Sequence, residues 1–270
     1  VTAMAAIFLS VRLMSTRLPR KALADVGGRT LTERLIDRLG RSRRAERIVL
    51  CTSERAEDEA LVALAGRAGA LSFRGSERDK LERYLGAARE HGVDSFVVVD
   101  GDDLFCDPDE IDRVIEAQRE GGADYVTVEG LPLGAASFGV RTEALEQVCL
   151  IKDDLDTEVW GGYFTETGLF RSQALAAPPA LRRPEIRLTI DYPEDLELAR
   201  RIHSRLGAGD RAYGLAEIVA LFDAEPALGR LNAGVQAAYE SIIASKGRVR
   251  LRPDHRELLA RRAAARGARA

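Results

Sequence analysis

Arg12, Ser15, Arg17 and Lys21 fall in one short stretch, 11–21, that also carries Pro19. Cations and a hydroxyl at that spacing suit a polyphosphate. Guanidinium forks take phosphate oxygens in pairs, a lysine acts as a point charge, and proline stiffens the loop. A solvated basic loop satisfies the same charges. A second set is acidic: Asp100, Asp102 and Asp103 crowd together, and like charges that close repel unless a cation joins them. Oxygen-only donors suit Mg2+, which takes one or two carboxylates alongside substrate phosphates. An acidic turn capping the next helix is the plainer alternative. Asp191 stands just before Pro193 and a helical stretch, where a cap role competes with a ligand role. Arg74-Gly75-Ser76 is expected to follow a short strand and open a helix whose N–H groups read a base edge or an anion. Ser76 as helix cap, with Asp79 in a capping-box position, is equally compatible.

Residues so far apart in sequence act together only on a scaffold that gathers them. Short apolar or β-branched runs alternate with amphipathic helical stretches, the pattern of an α/β protein with a mostly parallel sheet. Strands are expected at 5–10, 47–52, 70–73, 95–99, 125–128, 136–141 and 187–190. Helices are expected at 30–39, 57–68, 77–90, from Asp107 onward, and at 142–148 and 193–206. In such sheets the ligand crevice lies outside the carboxyl ends of the strands, where 11–21 and 100–103 both fall. The chain divides into a domain at 1–206, a helical extension at 207–245, and a basic tail at 246–270 expected to be solvated and partly disordered.

Composition narrows the classes. Of 270 residues, 46% are hydrophobic and 31% charged, which excludes global disorder. A net charge of -3 argues against a general nucleic-acid binder. Cys51, Cys106 and Cys149 form no C-x-x-C pair, so a reducing, cytoplasmic setting is expected. The apolar opening has no basic residues before it, and no run of about 20 apolar residues follows, so neither export nor membrane insertion is expected. There is no phosphate-binding G-x-x-x-x-G-K-[ST] loop, no dinucleotide fingerprint and no nucleophile elbow; none of the three histidines is assigned to catalysis.

The run Arg12-x-x-Ser15-Thr16-Arg17-Leu18-Pro19-x-Lys21-x-Leu23, followed by Gly27-Gly28-Arg29-Thr30-Leu31, resembles the opening of the cytidylyltransferases that activate acidic sugars. These include the 3-deoxy-manno-octulosonate and acylneuraminate enzymes, and the likeness is greatest to the spore-coat polysaccharide branch. Thr52-Ser53, Phe73-Arg74-Gly75-Ser76, Asp79 with Leu81 and Tyr84, Gly101-Asp102, Asp107-Pro108 and Asp191-x-Pro193-Glu194-Asp195-Leu196 continue it in order across roughly 5–233. The resemblance implies a nucleotidyltransferase version of the glycosyltransferase-A fold, with CTP as substrate and a homodimer. It implies Asp102 and Asp191 as the pair that holds Mg2+, and Arg12 and Lys21 as the residues on the triphosphate. Ser15 and Arg17 would shape that loop; Arg74, Gly75, Ser76 and Asp79 would border the nucleotide pocket.

Two departures stand out. Asp100 occupies a position where the family usually has a polar uncharged residue, which makes it a further metal-ligand candidate, and Asp103-Leu104-Phe105 lacks the family's proline. Leu133-Gly134-Ala135-Ala136 lacks the acidic residue common in the spore-coat branch, so the acceptor is expected to differ. Glu158, Trp160 and Tyr163 form an aromatic-acidic segment suited to lining an acceptor pocket, or to a hydrophobic plug or dimer contact. The expected reaction is CMP transfer from CTP to an acidic acceptor (a sugar acid, phosphonate or phosphate compound) with release of pyrophosphate. A glycosyltransferase of the same fold and a non-catalytic nucleotide-binding protein are the alternatives.

Overall fold

Ala5–Ser10 and Ser95–Asp100 are apolar on both faces, and a strand of that kind belongs at the centre of a covered sheet. The computed structural model, which describes residues 4–15, 17–246 and 248–267, places them there. Thr16, quoted above within the basic loop, lies outside the described residues.

The strands are β1 (Ala5–Ser10), β2 (Asp25–Val26), β3 (Arg29–Thr30), β4 (Arg47–Ser53), β5 (Leu71–Gly75), β6 (Ser95–Asp100), β7 (Tyr125–Glu129), β8 (Phe138–Arg141) and β9 (Ser172–Ala176). The helices are α1 (Leu31–Leu39), α2 (Glu59–Arg67), α3 (Lys80–His91), α4 (Pro108–Gly121), α5 (Thr142–Ile151), α6 (Gly162–Thr165), α7 (Pro193–Leu206), α8 (Leu215–Ala224), α9 (Gln236–Lys246) and α10 (His255–Gly267). Seven strands make one sheet in the order β5-β4-β1-β6-β8-β7-β9, and only β8 runs against the rest. The expected α/β class and mostly parallel sheet are thus present.

Register sets the site. Ser10 lies level with Cys51 on one side and with Asp100 on the other, so the loops leaving β1, β4 and β6 emerge at one edge. Strand alternation sends neighbouring side chains to opposite layers. Leu9, Leu50, Val97 and Val99 pack with α1, α4, α7 and α8, whereas Phe8, Val49, Phe96 and Val98 pack with α3 and α5. Gly101 allows the edge to close. Its amide donates to Ser10 O at 2.8 Å, and a β-carbon there would meet Val11 at 2.8 Å and Ser10 O at 3.0 Å.

Four expectations change. Residues 187–190 form no strand; Arg187 makes a single parallel bridge to Leu133. Arg74 and Gly75 end β5 instead of opening a helix, and α3 begins at Lys80 with Asp79 as its cap. The edge strand β9 lacks an apolar signal because its side chains are mostly exposed. The basic tail is docked, not free: Leu251 bridges Lys152, Val249 and Leu251 lie against the α3/α5 layer, and Arg262 ion-pairs with Glu146 of α5. Among the described residues no helix is long and apolar enough to cross a membrane.

Candidate active site

The loop after β1 is tied down on either side of Arg12, before it reaches Arg17 and Lys21. Val11 N donates to Cys51 O (3.2 Å), and Leu13 N donates to Asp58 Oδ1 (2.8 Å), a carboxylate buried beneath the loop. Leu18 N donates to Ser15 Oγ at 3.4 Å, so Ser15 closes a turn within the loop. Arg20 takes a left-handed conformation (φ 56°), which reverses the chain and delivers Lys21 inward.

Lys21 Nζ sits between two carboxylates. It donates to Asp102 Oδ2 at 2.7 Å, to Asp191 Oδ1 at 2.9 Å and to the carbonyl of Ile190 at 2.8 Å. Arg17 also pairs with Asp191 and lies over the Tyr192 ring, 5.7 Å from its centroid. Asp191 is only 1% exposed, so these cations are its counter-charges in place of water.

Main-chain bonds draw Asp191 to Asp102. Leu188 N and Thr189 N both donate to Leu133 O (2.7 and 3.0 Å), and Ile190 N donates to Asp102 O at 2.9 Å. Gly134, at φ +92°, permits this: a β-carbon would fall 2.4 Å from Thr189 N. Asp195 Oδ2 then accepts the amides of Asp191 and Tyr192, each at 3.0 Å, as in a capping box. The Arg187 guanidinium grips both oxygens of Asp195 at 2.9 Å. Asn232 Nδ2 donates to Asp195 Oδ1 (2.8 Å) and to Arg187 O (3.1 Å).

A second charged group adjoins the first. Lys80 Nζ donates to Asp100 Oδ1 at 2.9 Å and lies 3.8 Å from Glu158. Arg12 donates to Glu158 Oε2 (3.0 Å) and to Glu77 O (2.6 Å). Arg12 and Lys21 therefore stand in separate ion clusters, joined through Asp100-Gly101-Asp102.

These contacts set the proton affinities. Burial acts to raise the Asp102 carboxyl, but the Lys21 ammonium outweighs it and holds Asp102 below the usual aspartate range. Among the described residues no cation pairs with Asp103. Burial, with Asp102 and Asp100 close by, pushes it well above that range. Burial also raises Asp100, despite Lys80. Lys21 and Lys80 are desolvated, yet their carboxylates more than compensate and raise both.

The nucleotide-pocket candidates are engaged elsewhere. The Arg74 guanidinium pairs with Glu59 (2.6 Å) and donates to the carbonyls of Ser53, Glu54 and Arg55, bracing the loop after β4. Gly75 is required by contact: a β-carbon would lie 2.8 Å from the Phe73 ring. Ser76 Oγ accepts the Asp79 amide at 3.0 Å. Asp79 is buried, caps α3 through Glu82 N (3.2 Å), and accepts from Lys152 and from Thr157 Oγ1.

Of the acceptor candidates, Glu158 reaches the charged edge. Trp160 does not. It is buried edge-on to Tyr84, Tyr125, Phe138 and Phe164 at about 6 Å, which makes it core and excludes it as a dimer contact. Tyr163 is buried as well, with its hydroxyl donating to Arg250 O at 3.3 Å.

Lys80, Lys152 and Asp58 escaped the sequence reading because Asp100, Asp79 and Leu13 lie far from them along the chain; Arg187, whose partner Asp195 is only eight residues on, was counted into a strand. Asp195 was quoted within a motif, and its position three residues into α7 was the signal for a capping role. Among the described residues, no group of three or more His, Cys, Asp or Glu gathers as a metal cage. Two carboxylates and a carbonyl do converge on a cation, the Lys21 ammonium. An oxygen-only set of that kind suits Mg2+ completed by substrate phosphates.

A family model described as "Cytidylyltransferase" matches residues 6–219. The spore coat polysaccharide biosynthesis protein SpsF of Bacillus subtilis is 30% identical over 226 residues, spanning 81% of this chain and 93% of that one. A 3-deoxy-manno-octulosonate cytidylyltransferase of Chlorobium phaeovibrioides is 39% identical over 166 residues, 60% of this chain and 64% of its own length. The solved structure of a cytidylyltransferase from Leptospira borgpetersenii superposes with a TM-score of 0.76 at 24% identity, covering 84% of this chain and 97% of that chain; at that identity it speaks to the fold.

Proposed function

This chain belongs to the cytidylyltransferase family, and from that premise we propose that it transfers CMP from CTP to an oxygen of an acidic acceptor and releases pyrophosphate. The observation that carries the reading is Lys21 seated between Asp102 and Asp191 at the carboxyl edge of the sheet. A lysine there neutralises the carboxylates at rest and is poised to exchange them for phosphate oxygens.

In the reaction an acceptor oxygen bonds to the α-phosphorus while the bond from that phosphorus to the pyrophosphate oxygen breaks, its electron pair leaving with pyrophosphate. The protein's share is positioning and charge neutralisation. Lys21 and Arg17 supply cations to the triphosphate, held in place by the Asp58 anchor and the turn at Arg20. Arg12 and Lys80 give a carboxylate- or phosphate-bearing acceptor its counter-charge. Asp102 and Asp191 would hold Mg2+, with Asp100 nearest to assist. When bound, the ion supplies neutralisation of the phosphate oxygens. Arg187, Asp195 and Asn232 keep Asp191 in place throughout.

The test is pyrophosphate release with each of the four nucleoside triphosphates plus Mg2+, against a panel of sugar acids, phosphonates and phosphate compounds. CTP alone is expected to support turnover. Turnover with a different triphosphate overturns the base assignment, and transfer from a nucleotide sugar without pyrophosphate returns the glycosyltransferase alternative.

A further inference from the structure

Leu104, two residues past Asp102, also lines a cavity of about 70 Å3 whose other walls include five arginines, Arg29, Arg34, Arg38, Arg41 and Arg211, against two carboxylates, Asp37 and Asp210. Three of these arginines have carboxylate partners. Arg29 pairs with Asp37, Arg34 with Asp210 at 2.8 Å, and Arg211 with Glu217. Arg38 and Arg41 have none among the described residues. Both donate instead to a single oxygen, the Tyr213 carbonyl, at 3.0 and 3.2 Å.

Arg38 is the more unusual of the two. It is 3% exposed, donates through Nε to Cys106 O at 3.0 Å, and lies over the rings of Tyr213 and Phe105. Its remaining nitrogen, Nη2, is buried with no hydrogen-bond partner. Asp107 is the carboxylate that acts on it across space, but those oxygens already accept the amides of Asp109, Glu110 and Leu215. Desolvation accordingly lowers the Arg38 pKa. A buried guanidinium that lacks a carboxylate and keeps a spare donor is costly unless a further anion completes it. Both arginines line one small cavity, and a pair of guanidiniums matches the oxygens of a tetrahedral anion.

We propose that this cavity binds a small oxoanion of the phosphate class, held by Arg38 and Arg41, at a site separate from Lys21, Asp102 and Asp191. The site is independent of which nucleotide or acceptor the enzyme uses. Inorganic phosphate and a phosphomonoester present the same tetrahedral head, and the small volume favours inorganic phosphate.

Isothermal titration with inorganic phosphate at constant ionic strength tests this, read beside the shift in Tm that a native-state ligand produces. Lys21→Ala removes binding at the triphosphate edge and is expected to retain the phosphate isotherm. Arg41→Gln, at an exposed position, is expected to weaken it at least about tenfold. Arg38→Gln should abolish it, and if that variant fails to fold, Arg41→Gln decides alone. Arg67→Gln, an exposed arginine on α2 outside the cavity, controls for general charge. No binding at millimolar phosphate overturns the proposal. So does an isotherm lost in Lys21→Ala but kept in Arg41→Gln, or one weakened equally by Arg67→Gln. A phosphomonoester arm that binds more tightly than inorganic phosphate overturns the preference for the free ion.

Discussion

Two carboxylates that approach one lysine as closely as Asp102 and Asp191 do would repel without it, so the basic loop and the acidic edge stabilise each other. Asp102→Ala still leaves Lys21 its partner Asp191, so the fold should persist while turnover falls by at least about 10²-fold. Circular dichroism and pyrophosphate release on the same preparation check both halves, and full activity would sink the metal assignment. The pH signs differ between neighbours. Asp102 has a depressed pKa, so its contribution to stability is present above the usual aspartate value of about 3.9 and is lost as pH falls through its folded value. Asp103 is raised, so its ionised form opposes folding at neutral pH. Asp103→Asn should therefore raise the urea midpoint at pH 7, with the gain shrinking as the pH drops toward 4. A gain that is constant with pH would refute the charge argument. The convergence of Arg17, Lys21, Asp102 and Asp191 was legible from charge placement and the family's motif. That of Lys80 with Asp100 was not, because one lysine on an amphipathic helix carries no mark of its partner.

At the scale of elements, strands flanked by clear turns were readable and loops held by buried ions were not. β1, β6 and α7 announce themselves through continuous apolar runs or through Pro193 at a helix start. The stretch 187–190 looks like a strand because Leu188, Thr189 and Ile190 are apolar or β-branched. It fails to become one because Leu133 O takes two consecutive amides, which bends the chain instead of laying it alongside a neighbour. Trp160 suits a pocket or a hydrophobic plug equally in one sequence, where exposure is invisible; the structure makes it the plug, with aromatic neighbours from α3, β7, β8 and α6. The segment that carries Glu158 to the charged edge is pinned by Lys152 on Asp79, with both side chains about 4% exposed. Lys152→Met would strand the Asp79 carboxylate in the interior. A loss of about 3–5 kcal/mol in chemical denaturation is expected. A change below about 1 kcal/mol would mean that water reaches the pair.

For the whole molecule, the docked tail changes what the basic C-terminus is for. Arg262 and Arg89 both reach Glu146, and although burial acts against it, they hold that carboxyl below the ordinary glutamate range. A depressed acid stabilises the docked state above its unfolded value and ceases to do so as pH falls through its folded one. α10 should become more accessible to protease and to hydrogen exchange near pH 4 than at pH 7, while β1 and β6 stay protected. Arg262→Ala should give the same local exposure already at neutral pH. Equal protection of α10 at both pH values would show that Val249 and Leu251 hold it without the ion pair.

The family match ends at residue 219, yet Asn232, 2% exposed, completes the hydrogen bonds of Asp195, and the Tyr239 ring covers Arg187 at 4.6 Å. Trimming the chain to the residues that the family model matches would leave the sheet, the loop and Asp100, Asp102 and Asp191 in place. It would still remove the clasp that keeps Asp191 aimed. The shortest working unit of this enzyme is expected to be longer than the stretch that the family model matches.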